Sequence, residues 1–109
     1  MAWLVCGDRV LASLELAESP STRRRGLLGR DGIDGAILLR PANRVHTLGM
    51  RFAIDVAHLD SDLTVLHSAT MKRHRVGRHV RGGTAVVEAE AGSFERWGLC
   101  VGDELTVRR

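Results

Sequence analysis

Short blocks of alternating apolar and polar residues recur along this chain, and helical spacing is scarce. Trp3 to Cys6 reads as a short strand and Gly7-Asp8 as a turn. From Val10 to Ala17, Val10, Ala12, Leu14 and Leu16 alternate with Leu11, Ser13, Glu15 and Ala17, which predicts a second strand and hence a hairpin. Ser19-Pro20 opens a helix, because Ser caps well and Pro suits the first helical position. That helix is predicted to run to Leu28 and stop at Gly29. Gly26 inside it costs about 1 kcal/mol against Ala, which close approach to another backbone would offset. Beyond the Gly32–Gly35 turn lie a short apolar strand, Ala36 to Arg40, and a loop at Pro41-Ala42-Asn43. Val45 to Met50 is irregular or a brief strand ending at Gly49, and Phe52 to Leu59 is the best central strand. Asp60-Ser61-Asp62 turns the chain into a return strand, Leu63 to Ala69.

Met71 to Gly83 has no periodicity and reads as a loop. Thr84 to Ala91 is a strand in which Ala85, Val87 and Ala89 alternate with Val86, Glu88 and Glu90. Ser93 caps a short helix through Trp97, Gly98 closes it, and Gly102-Asp103 turns into a last strand, Glu104 to Val107. The sum is mainly β, or α+β by count. It predicts one compact β-barrel-like domain over 1–109, with roughly seven to nine short strands and two short helices near 19–29 and 93–98. Few connections are long enough to hold a crossover helix, which argues against a parallel α/β sheet.

The 109 residues suit one domain, and 44% hydrophobic with 27% charged residues is ordinary for a globular protein. There is no apolar run of membrane-spanning length, and the apolar start lacks the basic flank of a signal peptide, so a cytoplasmic location is the expectation. Cys6 and Cys100 near opposite ends read as reduced, partly buried thiols. The net charge of +3 is concentrated in two clusters. One is Arg23, Arg24, Arg25 and Arg30. The other runs from Lys72 through Arg73, Arg75 and Arg78 to Arg81, with His74 and His79 interleaved. Such a patch attracts anions, but the loop holds no aromatic residue on which bases could stack, so nucleic acid is not the expected partner. A solvated mobile loop is the plainer reading. An anionic small molecule or a protein segment is the alternative.

Candidate chemistry concentrates between His46 and Asp60. On the central strand Ile54, Val56 and His58 share one face, and Asp55, Ala57 and Leu59 the other. Asp55 thus sits among apolar neighbours and needs donors. Arg51, His46 and the N–H groups of Leu48-Gly49 are the candidates. Its plain role is to pin a loop to the strand start; its chemical role would be a general base or a ligand-binding acid. His46 and Met50 supply two ligands at most, so no metal site and no cofactor are expected. The alternative for this pair is a core Met50 with His46 donating to a carbonyl. His58 reads as a satisfied interior or edge histidine, and so does His67, on the strand face shared with Leu63 and Val65. None of the common nucleophile, phosphate-loop or zinc-protease motifs occurs.

Three segments together carry a resemblance. They are Ser21-Thr22-Arg23-Arg24-Arg25-Gly26-Leu27-Leu28-Gly29-Arg30, His46 through Asp60, and Val87-Glu88-Ala89-Glu90-Ala91-Gly92 with Gly98-Leu99-Cys100-Val101-Gly102-Asp103. In that order the chain resembles the bacterial and archaeal family catalogued as domain of unknown function 192. Ala53 stands where that family usually has Pro, and His58 where it usually has Phe. The resemblance implies a small β-rich domain with no established activity or cofactor. The expected function is a non-enzymatic binding or accessory module. Its groove would lie near the His46–Asp55 turn and the 72–81 loop, with His46, Met50, Arg51, Asp55, Arg73 and Arg75 as candidate ligand-binding residues. The alternative is a small hydrolase-like enzyme with Asp55 and His46 as an acid/base pair.

Overall fold

The computed structural model describes all 109 residues. β1 (Ala2–Cys6) and β2 (Arg9–Ala17) form the predicted hairpin, with α1 (Pro20–Arg25) following. Next come β3 (Ala36–Leu39), β4 (Ile54–Leu59), β5 (Val65–Met71) and β6 (Ala85–Glu90). α2 (Ser93–Trp97) and β7 (Leu105–Arg108) complete the chain. The strands make one sheet in the order β5-β4-β6-β3-β2-β1-β7. Only β2 and β3 run parallel, and residues 18–35, which contain α1, cross over between them.

The sheet curls into a half-barrel, and its two edge strands meet at one end. Thr64 bridges Glu104, the Val65 N–H donates to the Asp103 carbonyl, and the Leu105 N–H donates to the Leu63 carbonyl. Both faces of the central strands are covered. Inside the curl, Leu4, Leu14, Leu38, Leu59, Val87 and Leu105 pack with Phe94 of α2. Outside it, Ile37, Leu39, Ile54, Val56 and Val86 pack beneath Leu27, Val45 and Met50 of the connecting segments. β4 is accordingly buried at every position, and the predicted face parity is found: Ile54 and Val56 lie outside, Ala57 and Leu59 inside.

Three local expectations need correction. α1 ends at Arg25, not Leu28. Ser19 and Thr22 form a capping box, but Gly26 takes φ +48° and caps the helix. A Cβ at Gly26 would meet its neighbours only at ordinary contact distance, so the positive φ is the reason for glycine there, not a close approach. Ser93 is not the cap of α2: Gly92 is, and it has no side chain to offer. His67 lies on the face opposite Val65. The register shifts between His58 and Leu59 so that His58 pairs with His67 and Leu59 with Val65, which makes Leu66 a bulge. One extra residue moves everything after it to the other face.

Candidate functional site

Asp55 is buried, as strand parity predicts, but none of its foreseen partners reaches it. The Thr70 hydroxyl donates to Oδ1 at 2.7 Å, and the N–H groups of Gly92 and Phe94 donate to Oδ2, each at 3.0 Å. β4 thus supplies the cap that α2 lacks, from a different element, and the carboxylate offsets the dipole of that turn. Arg51 instead pairs with Asp31 on the surface at 3.0 Å. His46 is exposed, and its Nδ1 accepts the Leu48 N–H at 3.1 Å, so it is not a donor to a carbonyl through that nitrogen. Met50 is part of the outer apolar cluster, as expected of a core residue. His46 and Asp55 are therefore not brought together.

The basic loop is fastened rather than free. Thr47, which is fully buried, donates its hydroxyl to the Lys72 carbonyl at 2.6 Å and accepts the Arg75 N–H at 2.9 Å. His46 forms a bridge with Val76, and the Gly77 N–H donates to the Val45 carbonyl at 2.7 Å. Asn43 holds the far end, donating to the Val80 and Gly83 carbonyls and accepting the Val80 N–H. This ladder splits the single groove expected from sequence into two cavities. His46 and Met50 line one; Arg75 and Val76 line the other. Arg51, Asp55 and Arg73 line neither.

The first cavity, of about 400 Å³, lies between α1, the 41–50 segment and the outer face of the sheet. Glu88 is in its wall, and sequence reading passed over it. Glu88 is paired with Ile37 on one side and Val56 on the other, and it is only 4% exposed. It takes part in none of the ion pairs of the protein. Burial alone pushes its carboxyl up to about 7. Arg24, Arg25 and Arg44 line the same cavity from exposed positions. They too have no acidic partner, unlike Arg30, Arg40, Arg51 and Arg109. An acid facing a cavity from the middle of a sheet beside unpaired arginines is a polarised site. The available signal was Glu88 sharing a strand face with Val86 in a segment too apolar for a solvent edge.

The second cavity, of about 430 Å³, holds His58, His67, Lys72, Arg75 and Arg78. The Asn43 carbonyl accepts the His58 Nε2–H at 2.6 Å, leaving Nδ1 as a bare acceptor. The Nδ1 atoms of both His58 and His67 are buried without a partner. The rings meet edge to face, with centroids 5.9 Å apart. Burial holds the His58 imidazole below its ordinary range, with the cationic neighbours reinforcing this against the Asn43 bond. No three side chains among His, Cys, Asp and Glu converge as a metal cluster, and both cysteines are free, Cys6 partly buried and Cys100 exposed. No helix is long and apolar enough to cross a membrane.

Residues 4–107 match the model of the family DUF192, described as "Uncharacterized ACR". No curated protein matches the chain. Two crystal structures are similar. A protein of unknown function from Novosphingobium aromaticivorans DSM 12444 is 20% identical, with a TM-score of 0.80 over 96% of this chain and 82% of that one. A Sinorhizobium meliloti 1021 protein, described provisionally as a transcription regulator, is 22% identical, with a TM-score of 0.74 over 97% of this chain and 91% of that one. At such identities the likeness shows a shared fold.

Proposed function

The chain belongs to the DUF192 family, and from that premise we propose that it is a cytoplasmic, non-enzymatic binding module for a small anionic molecule. The ligand enters the cavity between α1 and the His46 turn. The observation that carries this reading is the convergence of Arg24, Arg25 and Arg44, all without acidic partners, on one cavity beside the sheet. Guanidinium groups suit oxyanions because they donate in a planar fork. A cavity of about 400 Å³ is within the size range of small-molecule sites. The hydrolase alternative built on Asp55 and His46 has little geometric support. Asp55 is committed to three donors, and His46 faces the first cavity, which Asp55 does not line.

Calorimetric titration with ethyl phosphate tests the reading. The native protein binds it. The double variant Arg24→Ala/Arg44→Ala, which changes only exposed side chains, binds it at least about 10-fold more weakly, since each charge-assisted bond contributes about 1.5–3 kcal/mol. Equal binding by both proteins removes this function from the arginine-rimmed cavity, as does a failure to bind any phosphate or carboxylate probe, with or without an amine.

A further inference from the structure

The cavity is charged at both ends, with opposite signs. Its exposed rim carries Arg24, Arg25 and Arg44. Its wall against the sheet carries Glu88, whose Oε1 lies 3.8 Å from the position a Cβ on Gly26 would take. The glutamate is thus tucked where α1 ends, yet no arginine of α1 or of the 41–50 segment closes onto it. If neutralising Glu88 were the purpose of these arginines, a direct ion pair would be expected, of the kind that Arg30 forms with Glu15 at 2.7 Å on the surface. The separation leaves a negative site deep and a positive site shallow. Glu88 is largely desolvated, has no ion-pair partner in the protein and faces the cavity, so a cation arriving there would be favoured.

Resting on the anion-binding reading above, we propose that the ligand is a zwitterion, with an oxyanion held by Arg24, Arg25 and Arg44 at the rim and a primary ammonium group paired with Glu88 below. A plain anion leaves Glu88 unpaired, and a plain amine leaves the arginines unpaired. A molecule carrying both charges satisfies both ends. The ammonium displaces the proton that Glu88 holds near neutral pH, so binding releases protons. The other titratable group in the cavity is His46, on the 41–50 segment; α1 contributes only arginines, and β3 and β4 flank Glu88 with Ile37 and Val56.

The test is calorimetric titration with two matched pairs of probes: phosphoethanolamine against ethyl phosphate, and β-alanine against propionate. The proteins are the native chain and Glu88→Gln, which keeps the side-chain volume and removes the charge. The expected result is a preference of about 10-fold or more for the amine-bearing member of at least one pair, lost in Glu88→Gln, in which the amine-free member binds no more weakly than in the native protein. The pair that shows it tells phosphate from carboxylate. Repeating the titration near pH 6.5 in buffers of different ionisation heat reads the protons. A phosphate probe loses part of its own second proton in either protein, so the measure is release by the amine-bearing probe beyond that of its amine-free match: it is expected from the native protein and not from Glu88→Gln, which excludes His46 as the source. Equal binding within both pairs overturns the zwitterion and leaves the anion reading standing. So does a preference that survives Glu88→Gln, or proton uptake. If no probe binds, both readings fall.

Discussion

Glu88 and His58 pull the pH dependence of stability in opposite directions. Glu88 titrates near 4.5 when unfolded and about 7 when folded. The folded state holds the extra proton between these values, so stability from this group is full below about pH 4.5 and lost as pH rises through about 7. The loss is about 3 kcal/mol. For His58 the folded state favours the neutral ring. Its contribution is present above the ordinary histidine value of 6.5 and is lost as pH falls through the lower folded value. In urea unfolding against pH the two effects therefore oppose each other in the weakly acidic range: Glu88→Gln should remove a fall in stability between about pH 4.5 and 7, and His58→Gln should remove a rise toward pH 6.5. Asp55→Ala should cost about 3 kcal/mol in the same measurement, because it strands the Gly92 and Phe94 N–H groups and the Thr70 hydroxyl. The oddness of Asp55 was legible from strand parity. Its partners were not, because two of its donors belong to a helix turn that reaches β4 only through the β4–β6 pairing. Glu88 was less legible still. Alternation assigned it to the Val86 face, and only the covering segments, which no periodicity reveals, turn that face into interior.

Among the elements, the aperiodic 72–81 loop departs furthest from expectation. Thr47 is the rivet: its hydroxyl both donates and accepts across the ladder. Thr47→Val keeps the shape and loses both bonds, so about 2 kcal/mol of stability should go. Hydrogen exchange should quicken at the His74, Arg75 and Gly77 amides, whereas Thr47→Ser should restore most of the protection. Gly77 is the second constraint, since a Cβ there would come 2.6 Å from the Val45 carbonyl oxygen. Such anchors escape sequence reading because the bonds are between side chain and backbone across long separations, and polarity alone suggests solvation. The strands read well for a simpler reason. Their apolar faces alternate wherever one side meets the core. The errors fall where a single residue interrupts the repeat, at the Leu66 bulge and at the Gly26 and Gly92 caps.

At the scale of the whole molecule, seven short strands and two short helices were legible as a β-rich domain, but not their order. β3 pairs with β2 and β6 rather than with its neighbour in sequence, β4. That choice is made by the crossover through α1, which carries Arg24 and Arg25 to the rim of a cavity walled by β6. Non-local pairing thus creates the site. Its charges project into solvent, so binding of ethyl phosphate should weaken several-fold between about 0.05 and 0.5 M NaCl, as the Debye length shrinks well below the width of the arginine cluster. Titrations across that range check it. An affinity insensitive to salt would mean that the arginines do not hold the anion.

The borrowed cap on α2 also fixes an order of events. A turn of five residues with no capping side chain of its own does not persist alone, so it must wait for β4 to deliver Asp55. Trp97 sits on that turn and packs against Phe94, with ring centroids 5.5 Å apart. The indole is therefore a built-in clock. In a Trp3→Phe background its fluorescence should reach the native value no earlier than the exchange protection of the β4–β6 amides.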